Sequence, residues 1–330
     1  MKKYVVLGSN AFSGQDFIDL LLDDPGARVI GVSRSPEKPD LFLRFKQRTD
    51  LSRYSFKQFD MNDDIERLLE FLDAERPEFI VNFAAQSEVG PSWDRPEQWF
   101  QTNCVALANL VNHIRRQQYL KRYMHISSPE VYGNCVGRIT EDAPVNPSTP
   151  YAASKAGADH ILRSYARTYG FPVVTVRATN VYGARQQLFK IIVRTVLAIK
   201  RGDVIALHGG GVAVKSYIHI RDVSQGERAI LEGGRCGEIY HLSPTQGVAV
   251  RDIVRQVAER MGEDFRRVTQ SVEDRPGQDA AYVIDSSKAR ETFEWSPVVT
   301  LSDGLQEVID WVEANWTELS AYPAEYVHRA

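Results

Sequence analysis

Short apolar, β-branched runs at residues 4–7, 29–32, 54–59, 79–84, 123–126 and 173–176 alternate with segments of helical spacing near 13–22, 62–75, 97–117 and 150–169. No other feature constrains the chain so strongly. Strand followed by amphipathic helix, repeated, predicts an α/β fold: a doubly wound parallel sheet with helices on both faces and ligands at the carboxyl ends of its strands. After about residue 177 the pattern loosens into a helix near 187–200, short strands near 204–208, 215–220 and 238–242, and helices near 222–232, 249–261 and 301–316. The first half has a nucleotide-binding layout, and the second reads as a smaller, discontinuous region whose segments return to it.

Composition narrows the ligand class. Forty Lys+Arg against 43 Asp+Glu leave a formal charge of -3 with no basic block, which argues against a nucleic-acid or membrane-surface partner and for a small molecule. Cys104, Cys135 and Cys236 are odd in number and widely spaced, with no metal-ligand spacing nearby, which fits a reducing cytoplasm and no bound metal. The amino terminus passes from Met1-Lys2-Lys3 straight into the first strand, so neither an export signal nor an anchor is expected.

The first strand runs into Gly8-Ser9-Asn10-Ala11-Phe12-Ser13-Gly14 and then a helix. Such a turn lets the backbone approach a pyrophosphate whose charge meets amides at the helix start, although the spacing is GxxAxxG and an ordinary strand-turn-helix uses similar residues. Gly8, Ala11, Phe12 and Gly14 are therefore candidate cofactor contacts. The second strand ends at Ser33-Arg34, where an NAD site usually offers an acidic residue to the ribose; Arg34 is placed to pair with a 2′-phosphate and favours NADP slightly over NAD. Asp60 and Met61 after the third strand, and Ala84 after the fourth, complete the predicted dinucleotide set, with helix N-capping as the other role open to Asp60.

Thr149-Pro150-Tyr151 opens a helix that ends at Gly170, so Tyr151 and Lys155 share one face. A lysine ammonium beside a phenol favours phenolate, and we expect the Tyr151 pKa to be drawn down toward values useful to a general base.

Together these features resemble the extended, nucleotide-sugar-modifying branch of the short-chain dehydrogenase/reductase superfamily, over nearly the whole chain. The resemblance implies a Rossmann-like NAD(P)-binding domain over 1–176, with returning segments near 204–235, and a mainly nucleotide-sugar-binding region over 177–330. It implies that Ser128 bonds the reacting hydroxyl, that Asn103 supports the site, and that a homodimer forms through the helices near 97–117 and 150–169.

Within that branch, Ser127-Ser128-Pro129-Glu130-Val131-Tyr132-Gly133 is similar to the segment of nucleotide-sugar 4,6-dehydratases. Oxidation at C4 of a hexose acidifies the C5 proton, so a carboxylate such as Glu130 can remove it while the C6 hydroxyl departs. The resemblance extends to Arg177-Ala178-Thr179-Asn180-Val181-Tyr182-Gly183, to Lys190, and to Asp274-Arg275-Pro276-Gly277-Gln278-Asp279, where Arg275 is expected to clamp the diphosphate. Ser87, after the fourth strand, is expected to line the substrate side. Pro129 stands where an Asp would protonate the leaving group, Lys215 replaces an Arg that grips phosphate, and Gln278 replaces a His. The expected activity is thus a nucleoside-diphosphohexose 4,6-dehydratase. The alternatives are a C4 epimerase or a nucleotide-glucuronate decarboxylase of the same family, and, from another class, a non-catalytic dinucleotide sensor.

Overall fold

A computed structural model describes residues 1–135, 137–273 and 281–328. The large sheet uses β1 (Lys2–Leu7), β2 (Ala27–Ser33), β3 (Tyr54–Gln58), β4 (Phe79–Asn82), β5 (Arg122–Ile126) and β6 (Val173–Ala178). Its seventh strand is β11 (Ile239–Leu242), reached only after β7 (Asn180–Tyr182), β8 (Ile205–His208), β9 (Val214–Lys215) and β10 (Tyr217–His219). The order is β11-β6-β5-β4-β1-β2-β3, and every pair is parallel. Strand order reverses between β1 and β4, which opens a crevice beyond their carboxyl ends.

Alternation along each strand sends side chains to two separate cores. On one face Tyr4, Val6, Met124 and Val174 meet Phe17 and Ile18 of α1 (Phe12–Leu21) and Val223, Ile230 and Leu231 of a later helix, residues 220–233. On the other, Val5, Leu7, Ile80 and Tyr123 meet α2 (Ile65–Glu75) and the last two of the helices that lie between β4 and β6. Those helices are α3 (Val89–Asp94), α4 (Pro96–Phe100), α5 (Leu107–Ile114) and α6 (Pro150–Tyr169). A third core joins α7 (Ile191–Arg201), α9 (Val250–Arg260) and the helix Leu301–Ala314 around Tyr182 and Tyr217. The helix between them in sequence, α8 (Ile220–Gly233), belongs to the sheet. Among the described residues no helix is long and apolar enough to cross a membrane, and no cluster of metal-ligating side chains occurs.

Two expectations need correction. The helix foreseen over 97–117 is divided: α4 and α5 are separated by a π-helical turn over Gln101–Ala106. Apolar spacing does not register one extra residue in a turn, and such insertions often serve a functional side chain. Of the segment expected to return near 204–235, residues 205–208 do not rejoin the large sheet. Instead β8 pairs in parallel with β13 (Thr269–Val272), after β12 (Val248–Ala249); the returning part is α8 and β11.

Asp222 holds that return in place. Its buried carboxylate accepts hydrogen bonds from the Val298 and Val299 amides at 3.0 and 3.1 Å, while its carbonyl accepts from Trp295 Nε1 at 2.9 Å. Asp222→Ala strands two amide donors and should lower unfolding free energy by about 2–4 kcal/mol. Urea denaturation checks this, and a loss below about 0.5 kcal/mol, the ordinary scatter of surface substitutions, contradicts it.

Candidate active site

The crevice between β1 and β4 forms a first cavity. Gly8, at φ 80, turns the chain out of β1, and a Cβ there would sit 2.6 Å from the Ala84 amide nitrogen. Gly14 is fixed by packing, since a Cβ there would collide with the Gly8 carbonyl. Ala11 has an ordinary extended backbone, φ -67, and its amide donates to the Gly8 carbonyl at 2.8 Å, so no third glycine is required. As N-cap of α1, Ala11 brings no side-chain cap to the first-turn amides, which leaves them suited to an anion. This donor set fits a pyrophosphate.

Gly8, Ala11, Ser33, Arg34, Asp60, Met61 and Ala84 line this cavity together. Phe12 and Gly14 do not: Phe12 is buried in the turn, and Gly14 serves the packing just described. Asp60 accepts from the Asn62 amide at 2.7 Å, while the N-cap of α2 is Asp64. Asn10 was not foreseen. Its amide group donates to Ser35 Oγ at 3.1 Å and Pro36 O at 2.9 Å, and its Oδ1 accepts from the Lys38 amide at 3.1 Å, closing the loop after β2 over the cavity. A lone Asn in a glycine turn carries no sequence signal for that span.

A second cavity continues beyond the ends of β5 and β6. Ser87, Ser128, Glu130, Tyr151, Asn180 and Lys190 all line it. Lys190 is paired with Glu88 at 2.8 Å, so a phosphate arriving there competes with a carboxylate. Lys215, in β9, lies on neither cavity wall among the described residues; it pairs with Val248 in β12 and with Tyr282 in β14 (Ala281–Tyr282). Arg275 and Gln278 lie outside the described residues. Ser13, Gln186, Tyr217 and Glu227 also line the second cavity and were missed. Glu227 left a trace, since it interrupts an apolar stripe formed by Ile220, Val223 and Ile230.

Local structure fixes α6, which carries Tyr151 and Lys155. Thr149 Oγ1 accepts from the Ala152 amide at 3.1 Å, Pro150 occupies the first turn, and the Tyr151 amide donates to buried Ser92 Oγ at 3.2 Å. Asn103, carried on the π turn, donates to Ser154 Oγ at 2.9 Å and to Gln86 O at 3.0 Å, and its Oδ1 accepts from the Gln86 amide at 3.0 Å. It thereby ties α6 to the loop after β4. Lys155 Nζ donates to Ile126 O at 2.7 Å and lies 3.5 Å from His125 Nε2. Beneath it, Asp159 accepts from Ser127 Oγ at 2.8 Å and pairs with Arg177 at 2.6 Å.

The electrostatics reverse one expectation. Burial pushes the Tyr151 phenol up, and the charge of Glu130 raises it further, with the Ser128 hydroxyl only partly opposing. Burial also lowers the Lys155 ammonium to about 8, with the charge of Asp159 opposing. Sequence spacing brings the two side chains to one helix face but says nothing of the desolvation both undergo.

The model of the GDP-mannose 4,6 dehydratase family matches residues 5–308. A dTDP-glucose 4,6-dehydratase of Xanthomonas campestris pv. campestris is 31% identical over 339 residues, covering 96% of this chain and 95% of that protein. One from Mycobacterium tuberculosis is 35% identical over 262 residues, covering 76% and 77%. Among solved structures, the dTDP-glucose 4,6-dehydratase DesIV of Streptomyces venezuelae, with NAD bound, superposes with a TM-score of 0.88 at 30% identity, over 96% of this chain and 98% of that one.

The lowered pKa of Lys155 has a consequence for stability. In the folded chain it titrates near 8, and in the unfolded chain near 10.4, so between these values only the unfolded chain keeps the proton. The cost of burying the charge, present below pH ~8, is relieved as pH rises, and this group's contribution to stability grows with pH. Lys155→Met removes that growth. Between pH 7 and 9.5, urea unfolding should show the native chain gaining about 1–2 kcal/mol relative to the variant. A difference that stays constant contradicts the assignment.

Proposed function

The chain belongs to the GDP-mannose 4,6-dehydratase family, and from that premise we propose that it is a nucleoside-diphosphohexose 4,6-dehydratase. The observation that carries this reading is the presence of Glu130 on one cavity wall with Ser128 and Tyr151, close enough that its charge acts on the phenol. An epimerase has no step that uses that carboxylate.

In this reading Ser128 hydrogen-bonds the C4 hydroxyl of the hexose and Tyr151 takes its proton, with Lys155 holding positive charge nearby. A dinucleotide held by Gly8, Ala11, Arg34 and Asp60 of the first cavity, its nicotinamide end directed toward Tyr151 and Ser128, would supply the hydride chemistry: acceptance from C4 and return to C6. Glu130 removes the C5 proton made acidic by the C4 ketone and passes it to the departing C6 hydroxyl, the task for which Pro129 offers no acid. One water leaves, and the product is a 4-keto-6-deoxy sugar at unchanged oxidation level overall. Asn180 and Lys190 meet the nucleotide diphosphate, joined by Arg275 and Gln278. NAD is the cofactor seen with the structural relative, and Arg34 at the first cavity supports acceptance of NADP as well.

We read residues 1–176 with the returning segments as the dinucleotide-binding unit and the remainder as the sugar-binding unit, working in the cytoplasm. Exposed Trp93, Phe100, Val105 and Tyr169, on or beside α3, α4, the π turn and α6, support a homodimer through that face.

The test is mass spectrometry of dTDP-, UDP-, GDP- and CDP-hexoses incubated with the purified protein and either NAD or NADP. Loss of one water from one of them is expected; an unchanged mass with altered stereochemistry by NMR means epimerisation instead. Glu130→Gln should still oxidise C4, seen as absorbance of the reduced cofactor, yet lose water about 10²–10⁴-fold more slowly. Normal dehydration by this variant removes the carboxylate from the mechanism.

A further inference from the structure

Glu227 stands on the sheet-facing side of α8 among apolar residues and is 1% exposed. Neither of its carboxyl oxygens has a hydrogen-bond partner. It lines the second cavity, which also takes in Ser13 at the start of α1 and the ends of β5 and β6 at Ser127 and Ala178. A carboxyl group removed from water and left without partners is costly, and a side chain of this kind calls for a ligand that completes it.

We propose that Glu227 is a cofactor contact, its carboxyl group engaging the carboxamide of the nicotinamide through a pair of hydrogen bonds. The inference rests on the dinucleotide reading given above. With adenosine in the first cavity against Arg34 and Asp60, and the pyrophosphate at the start of α1, the reactive end of the cofactor has to reach Tyr151 and Ser128. That requirement brings it into the cavity that Glu227 lines.

The chemistry of the two groups is complementary. A primary amide offers one carbonyl acceptor and two N–H donors, and an uncharged carboxyl offers one acceptor and one donor in the same plane. Burial, and then the charge of Asp16, push the Glu227 pKa well up, which favours the uncharged form that can both donate and accept. Other charged groups nearby are already engaged. Asp16 holds Arg44 at 2.9 Å and Ser224 Oγ at 2.8 Å, and Lys190 holds Glu88 at 2.8 Å. Glu227 is left with both oxygens available.

Calorimetric titration of the native chain, Glu227→Leu and Glu227→Gln with NAD and with ADP-ribose, which lacks the nicotinamide, tests the assignment. Leucine should weaken NAD by about 10- to 100-fold, the worth of two neutral hydrogen bonds, while ADP-ribose binds all three chains alike. Glutamine, which keeps a donor and an acceptor in the same volume, should bind NAD within about threefold of the native chain. Equal loss of both ligands in the leucine variant, no loss of either, or a glutamine variant as weak as leucine overturns the proposal. If the native chain binds ADP-ribose and NAD but the variants leave their ratio unchanged, Glu227 alone is misassigned; if it binds neither NAD nor NADP, the dinucleotide reading fails first.

Discussion

The buried pairing of Asp159 with Arg177 is the constraint on which the rest of the site depends. Asp159 belongs to α6, Arg177 to β6, and the same carboxylate accepts from Ser127 at the end of β5. Arg177 in turn bonds the Tyr132 hydroxyl, which lies 2.7 Å from His241 Nε2 in β11. One carboxylate thus sets α6 against three neighbouring strands. Asp159 Oδ2 takes both Ser127 and Arg177, while Asp159 Oδ1 and Arg177 Nε are buried without partners, and removal of one ion from such a pair typically costs about 3–5 kcal/mol. Its contribution is geometric as much as energetic, since Ser127 and Ser128 are adjacent and Lys155 lies one helical turn before Asp159.

The same burial explains the charge state of the site. Tyr151 and Lys155 are both shielded from water, and each is pushed toward its neutral form, the phenol upward and the ammonium downward to about 8. Glu130 adds to the first effect.

Much of this was legible in the sequence. Strand and helix periodicity located the large sheet and its two covering layers, because those elements are long and their apolar faces have clear periods. The turn after β1 was legible from Gly8 and Gly14, and α6 from Thr149, Pro150 and Gly170, whose conformational demands are local. What stayed hidden depends on distance through space. The π turn that aims Asn103, the reach of Asn10 across to residues 35–38, the Glu88 partner of Lys190 and the isolation of Glu227 all require knowing which segments become neighbours. The pairing of β8 with β13 is of the same kind, since two short strands 60 residues apart carry no mark of each other. The sequence-level expectation for the Tyr151 pKa failed for a related reason: spacing reports adjacency, whereas desolvation is set by everything packed around the pair.

The late arrival of β11 in the large sheet bears on how the chain is made. Six strands are synthesised by residue 178, yet the edge beside β6 stays open until residues 239–242 emerge, and Asp222 waits for the amides of Val298 and Val299. During translation the nearly finished sheet therefore presents an unpaired parallel edge for the time needed to add some 60 further residues, a span of seconds at about 5–20 residues per second. Chaperone demand should concentrate in that interval, and a truncated product ending before residue 239 would carry an exposed edge into the cell.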